Sequence, residues 1–144
     1  NYSNGSFNNV TLDELMKIID EALANGYSLA WDGDVSEKGF AAKSGLAIVP
    51  KDPKRDSLFT ILGDEISVTQ EFRQEQFERL KTTDDHLMHI IGTAKDENGT
   101  KYYIIKNSWG EISDFDGFLY MSESYVRLKT VGILLHKDGV PKKL

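Results

Sequence analysis

His86-Leu87-Met88-His89-Ile90-Ile91-Gly92-Thr93-Ala94, then Asn98-Gly99, then Tyr102-Tyr103-Ile104-Ile105-Lys106: two apolar, β-branched and aromatic runs flank a turn dipeptide in the last third of this chain. An Asn-Gly pair readily takes the positive backbone angles of a tight hairpin, so the two runs are expected to pair antiparallel around it. Residues 118–121 and 130–136 are strand-like in the same way and are separated from the hairpin by turn chemistry. Pairing the hairpin strands brings His86, at the start of one, near Asn107, at the end of the other. An Asn carbonyl can accept a hydrogen bond from one imidazole nitrogen and fix the tautomer, which leaves the other nitrogen to exchange a proton with a nucleophile. That is the orienting role found in a catalytic triad.

Working outward toward the N-terminus, Thr11 and Glu14 have the spacing of a capping box, with Val10 and Leu15 placed as a hydrophobic staple. Leu12, Leu15, Met16, Ile19 and Leu23 then recur at three- and four-residue steps and form one apolar stripe, and Asn25-Gly26 supplies a left-handed stop. The pattern predicts a helix from residue 12 to about 25. Residues 27–31, short and aromatic, read as a strand against which that helix packs, with Trp31 in the core. Between residues 32 and 64 Gly, Asp, Lys and Pro interrupt short apolar pieces at 46–49 and 58–62, and the sequence does not decide whether these are strands. Thr69 caps a second, short helix whose expected buried face is Phe72, Phe77 and Leu80, with Glu71, Arg73, Glu75, Glu78 and Arg79 outside. The first nine residues, rich in Asn, Ser and Gly, read as a loose lead-in. The expected fold class is α+β, an N-terminal helix packed on an antiparallel sheet that curls toward a partial barrel.

A chain of 144 residues, 40% apolar, supports one domain with a real core. Its net charge of −6 disfavours nucleic acid, because phosphate binding requires a basic surface. No run of 18 apolar residues exists, so no membrane-spanning helix is expected. With zero cysteines, the polypeptide carries neither a disulfide nor a thiol nucleophile of its own. His86 and His89 are three apart, but on a strand they point to opposite faces, which argues against a metal pair; no metal or cofactor is expected. Asp84-Asp85 reads as a solvated turn, and His136 as structural.

The stretch Asp85-His86-Leu87-Met88-His89-Ile90-Ile91-Gly92, followed by Tyr103-Ile104-Ile105-Lys106-Asn107-Ser108-Trp109-Gly110 and by Gly117-Phe118-Leu119-Tyr120, resembles the catalytic-His and catalytic-Asn signature of papain-like cysteine peptidases. Within that group, Asp96 to Gly99 and the ending His136-Lys137-Asp138-Gly139-Val140-Pro141 are similar to the bleomycin hydrolase and aminopeptidase C family, and Ala30-Trp31-Asp32-Gly33-Asp34-Val35 agrees more loosely. The resemblance implies a papain-like right-hand domain with His86 as general base and acid, Asn107 as its orienting partner, Trp109 shielding their hydrogen bond from water and Asp85 tuning the imidazolium. It also implies that the cysteine and the oxyanion glutamine come from a separate helical domain. Papain-like histidines follow their cysteine by roughly 130 residues or more, whereas 85 residues precede His86. The expectation is a single domain, residues 1–144, forming the C-terminal part of a peptidase whose Cys-bearing domain lies upstream.

The implied partners are that domain and a peptide substrate; a homo-oligomer is allowed but not indicated, and no compartment is legible. Relatives narrow the cleft with a C-terminal arm, and here only Lys142, Lys143 and Leu144 follow Pro141. The expected preference is for short peptides with free N-termini. The competing reading is a non-catalytic binding or scaffold module that keeps the peptidase fold, for which the missing cysteine would be authentic.

Overall fold

The structure, a computed structural model, describes residues 7–60 and 63–142. The first helix, α1 (Leu12–Ala24), starts where expected: Thr11 accepts from the Glu14 N–H while the Glu14 carboxylate accepts from the Thr11 N–H. A cap of this kind stabilises by about 1 kcal/mol. Asn25 closes the helix and Gly26 takes the left-handed conformation after it, φ +80°. The first strand, β1 (Leu29–Gly33), begins two residues later than expected, because the Tyr27 N–H is spent on the carbonyl of Ala22 in the turn that ends α1. It also runs further, since Asp32 and Gly33 remain paired.

Two-residue strands β2 (Phe40–Ala41) and β3 (Leu46–Ala47) follow. The apolar piece around Leu58 is a series of turns as far as Thr60, and Ile61 and Leu62 lie outside the described residues, as do residues 1–6 of the expected lead-in and Lys143 and Leu144. Helix α2 (Gln70–Glu78) is capped by Thr69 as expected, but its expected buried face is wrong. Phe77 and Leu80 are exposed, Leu80 closing the helix at a positive φ of 55°, and only Phe72 packs against the core. What holds α2 is polar: Gln70 accepts from the Leu12 N–H, and Arg73, expected outside, is turned inward onto the carbonyls of Arg127, Leu128 and Thr130.

The remaining elements are β4 (His86–Lys95), β5 (Lys101–Lys106), β6 (Phe118–Ser122), a helix α3 (Glu123–Lys129) not anticipated from the sequence, and β7 (Thr130–Leu135). Ser122 ends β6 and caps α3, accepting from the Tyr125 N–H.

The seven strands form one sheet in the order β2-β3-β6-β5-β4-β1-β7. It is not closed into a barrel, and it is mixed: β3 lies parallel to β6, with Leu46 opposite Tyr120. The expectation of an antiparallel sheet curled toward a partial barrel holds in part: one pair is parallel and the sheet does not close, because the edge beyond β6 is filled from the irregular middle of the chain and not by a consecutive hairpin. The edge strands β2 and β7 then sit at opposite ends of the order. Helix α1 lays its stripe, Leu12, Leu15, Met16, Ile19 and Ala22, on the sheet face formed by Leu29, Trp31, Met88, Ile90, Tyr103 and Ile105. Each Leu, Ile or Met side chain fully buried there contributes about 1.5–3 kcal/mol. Trp31 is wholly buried, its indole N–H donating to the Thr130 hydroxyl at 2.8 Å. Among the described residues no helix is long and apolar enough to cross a membrane.

Candidate active site

The β4–β5 hairpin turns at residues 96–100. The Asp96 carboxylate accepts from the N–H groups of Asn98 and Thr100, and Gly99 sits at φ +83°, so Asn98-Gly99 is part of a longer turn than a two-residue hairpin. From that turn the register is Lys95 with Lys101, Ala94 with Tyr102, Thr93 with Tyr103 and Gly92 with Ile104. Continued unbroken, it would set Asn107 opposite His89. Side chains alternate across a strand, so Asn107 would then lie on the face away from His86. The register instead shifts by one residue at Ile91, after which Ile90 pairs with Ile105 and His89 with Lys106. This bulge exchanges the faces of β4. Ala94 packs with Tyr102 in the smaller outer cluster, whereas Met88 and Ile90 join Tyr103 and Ile105 in the main core. His86 and Asn107 are thereby on one face.

His86 Nε2 lies 2.9 Å from Asn107 Oδ1. The Ser108 N–H donates to the same Oδ1 at 2.8 Å. A backbone N–H requires an acceptor, which identifies that atom as the amide oxygen; Nε2 must then carry the imidazole proton, leaving Nδ1 with the lone pair. Asn107 is 6% exposed, and its Nδ2 is buried without a hydrogen-bond partner among the described residues. The Asn107 N–H donates to the Gly117 carbonyl, which closes the loop bearing Ser108, Trp109 and Gly110. Gly117 has φ +79°, and a Cβ there would fall 2.5 Å from the Gly110 carbonyl oxygen, so the closure requires glycine.

The Trp109 ring lies against the imidazole, centroids 4.6 Å apart and tilted by 40°, and the Phe40 and Trp109 rings meet nearly perpendicular with centroids 6.0 Å apart. Trp109 is itself 45% exposed, so it covers one side of His86 and presents its own surface to solvent. The Asp85 carboxylate accepts from the Val35 N–H and the Thr83 hydroxyl. Burial works to raise its pKa, but hydrogen bonds from Ser36, Val35 and Thr83 outweigh that and hold the carboxyl below its ordinary value. Across the sheet His86 faces Gly33, where a Cβ would fall 2.3 Å from the Lys129 carbonyl oxygen and 2.4 Å from the Trp31 ring. Gly33, Phe40 and the Ile91 bulge were not singled out from the sequence. Gly92, a glycine inside a strand pattern, was the available signal for the bulge.

An open cavity of about 440 Å³ beside His86 is lined by Asp84, Asp85, His86, Leu87 and Ser108. A larger one, about 790 Å³, is lined by Asp96, Asn98, Gly99, Glu65 and Arg127 among others. It lies at the turn end of the hairpin, a ten-residue strand or roughly 30 Å from His86, and contains none of the expected site residues. His89 is on the opposite face, with Nε2 2.9 Å from the Ser28 hydroxyl, and His136 stacks on Tyr27. Among the described residues no three acidic or histidine side chains converge to hold a metal ion.

The profile of the Peptidase C1-like family matches residues 2–144. The chain belongs to that family. The family is one of cysteine peptidases that includes aminopeptidase C, and its papain-like relatives are those that the motifs around His86 and Asn107 implied. Aminopeptidase C of Lactobacillus helveticus is 28% identical over 136 residues, covering 94% of this chain and 28% of that protein. Fruit bromelain of Ananas comosus is 26% identical over 106 residues, 65% of this chain and 30% of the relative. Among solved structures, that of PepW from Lactobacillus rhamnosis HN001 superposes with a TM-score of 0.68 at 17% identity, covering 92% of this chain and 28% of the other, which speaks to the fold. This Peptidase C1-like chain therefore spans less than a third of the length of the curated relatives it matches.

Proposed function

We propose that this chain is the His- and Asn-bearing domain of a cysteine-type aminopeptidase, and that the intact protein joins it to an upstream helical domain supplying the cysteine and an oxyanion-stabilising glutamine. The observation that carries the reading is the hydrogen bond from His86 to Asn107, which holds the ring in the tautomer with Nδ1 unprotonated. In the proposed reaction Nδ1 takes the thiol proton, and the thiolate attacks the carbonyl carbon of a peptide bond. As the tetrahedral adduct collapses, the imidazolium returns that proton to the departing amine. A water molecule then gives a proton to Nδ1 and attacks the thioester carbon; the C–S bond breaks, the imidazolium returns the proton to the departing thiolate, and the acid is released. Asn107 keeps the ring in place through both halves, Trp109 screens the hydrogen bond from water, and Asp85 acts on the imidazolium through its charge. The substrate class is short peptides with a free N-terminus.

The test is turnover of an unblocked aminoacyl fluorogenic substrate by the intact protein. We expect hydrolysis that is abolished by thiol alkylation and lost in His86→Ala. Turnover indifferent to both treatments would refute the assignment, and efficient cleavage of internal bonds in N-terminally blocked peptides would refute the exopeptidase part alone. The absence of cysteine from all 144 residues favours a second reading, a scaffold module with the peptidase fold. An intact protein that lacks any thiol-dependent activity supports it.

A further inference from the structure

Residues 81–85, which lead into His86, form no regular structure, yet two buried charges, Lys129 and Asp34, hold them. Lys129, at the end of α3, is 4% exposed and donates from Nζ to the Lys81 carbonyl at 2.7 Å, to Asp34 Oδ2 at 3.1 Å and to the Glu37 carboxylate. Asp34, 2% exposed, accepts in turn from the Thr83 N–H at 3.0 Å and from the Ser36 N–H. Two residues beyond Thr83, the Asp85 N–H reaches the Gly33 carbonyl, and the Asp85 carboxylate accepts from the Val35 N–H. The segment is therefore tied at 81 to the end of α3 and at 83 and 85 to the exit of β1, and Lys129 is the group on which the first two ties depend. A buried ion pair is weak evidence for a stabilising role in itself, since the desolvation of both charges offsets their attraction. What this pair does achieve is to fix the backbone entering His86.

We infer that Lys129, acting with Asp34, is a positioning residue for His86: it sets where the imidazole meets Asn107 and where Nδ1 points. This rests on the proposal that His86 transfers the proton. A displacement of about 1 Å at a reacting group costs on the order of 10²-fold in rate. The effect should fall on kcat and leave substrate binding nearly unchanged.

The test compares the intact protein with the neutral double variant Lys129→Met/Asp34→Asn, which leaves no orphaned charge on Asp34. We expect kcat to fall by about tenfold or more with KM within about twofold. In ¹⁵N-histidine spectra we expect the His86 Nε2–H signal to lose its protection from solvent exchange by a similar factor, while the His89 signal is unmoved. A folded variant with unchanged kcat and an unchanged His86 Nε2–H overturns the inference. Should the variant not fold, hydrogen exchange of the unsubstituted protein decides. The Thr83 amide exchanging as slowly as the core of β4 supports the anchor, and exchange at the rate of an open loop refutes it. The spectroscopic arm does not require peptidase activity, so an inactive intact protein refutes the proposed function without touching the positioning result.

Discussion

Asp32 stands opposite Leu87 across the β1–β4 pair and shares a proton-dependent contact with its neighbours. Burial, then a hydrogen bond with Asp84 and the negative charges of Asp84 and Asp85, push its carboxyl up to about 6, against a hydrogen bond from the Gly33 N–H that favours the anion. A carboxyl whose pKa is higher folded than unfolded favours the fold when protonated. Its contribution is complete below the unfolded value of about 3.9 and is lost as pH rises through about 6. Asp32→Asn should therefore flatten the fall in Tm between about pH 4 and 6 and raise Tm above pH 7 relative to the unsubstituted chain; parallel Tm curves for the two proteins would contradict this. At this scale the site was legible where a residue announces itself by type. His86, Asn107 and Trp109 stand out because an imidazole, a carboxamide and an indole in that order have a joint chemistry. Gly33 and Asp34 do not, because their roles depend on Lys129, 95 positions away from Asp34 in sequence.

At the scale of elements, the ends of helices and turns of strands were readable because their signals are local. The Thr11–Glu14 box and the Asn98-Gly99 turn each lie within a few residues. The Ile91 bulge and the parallel β3–β6 contact are long-range solutions to packing, and α3 is a seven-residue helix of about two turns whose cap is also a strand end. The bulge matters most for function, since a regular register puts His86 and Asn107 on opposite faces. Its neighbour β1 shows how tightly this part of the sheet is built. Gly33→Ala should destabilise the chain by about 1–3 kcal/mol through overpacking against Trp31 and the Lys129 carbonyl, and urea unfolding checks it. A midpoint unchanged from the parent would show that β1 and α3 separate more easily than the packing implies.

For the molecule as a whole, a base and its orienting amide sit at the ends of two interior strands of an open sheet, with no thiol on the same chain. The isolated chain should not hydrolyse an aminoacyl fluorogenic substrate, and turnover that disappears in His86→Ala would contradict the need for a second domain. The central claim is narrower: His86 and Asn107 work as one unit. The most direct measurement is a double-mutant cycle on kcat/KM of the intact protein, with His86→Ala, Asn107→Ala and both. If the amide acts only by orienting the imidazole, removing it after His86 is gone should cost little, so the double variant should be no slower than His86→Ala alone. Losses that simply multiply would mean that the two side chains, 2.9 Å apart, act independently.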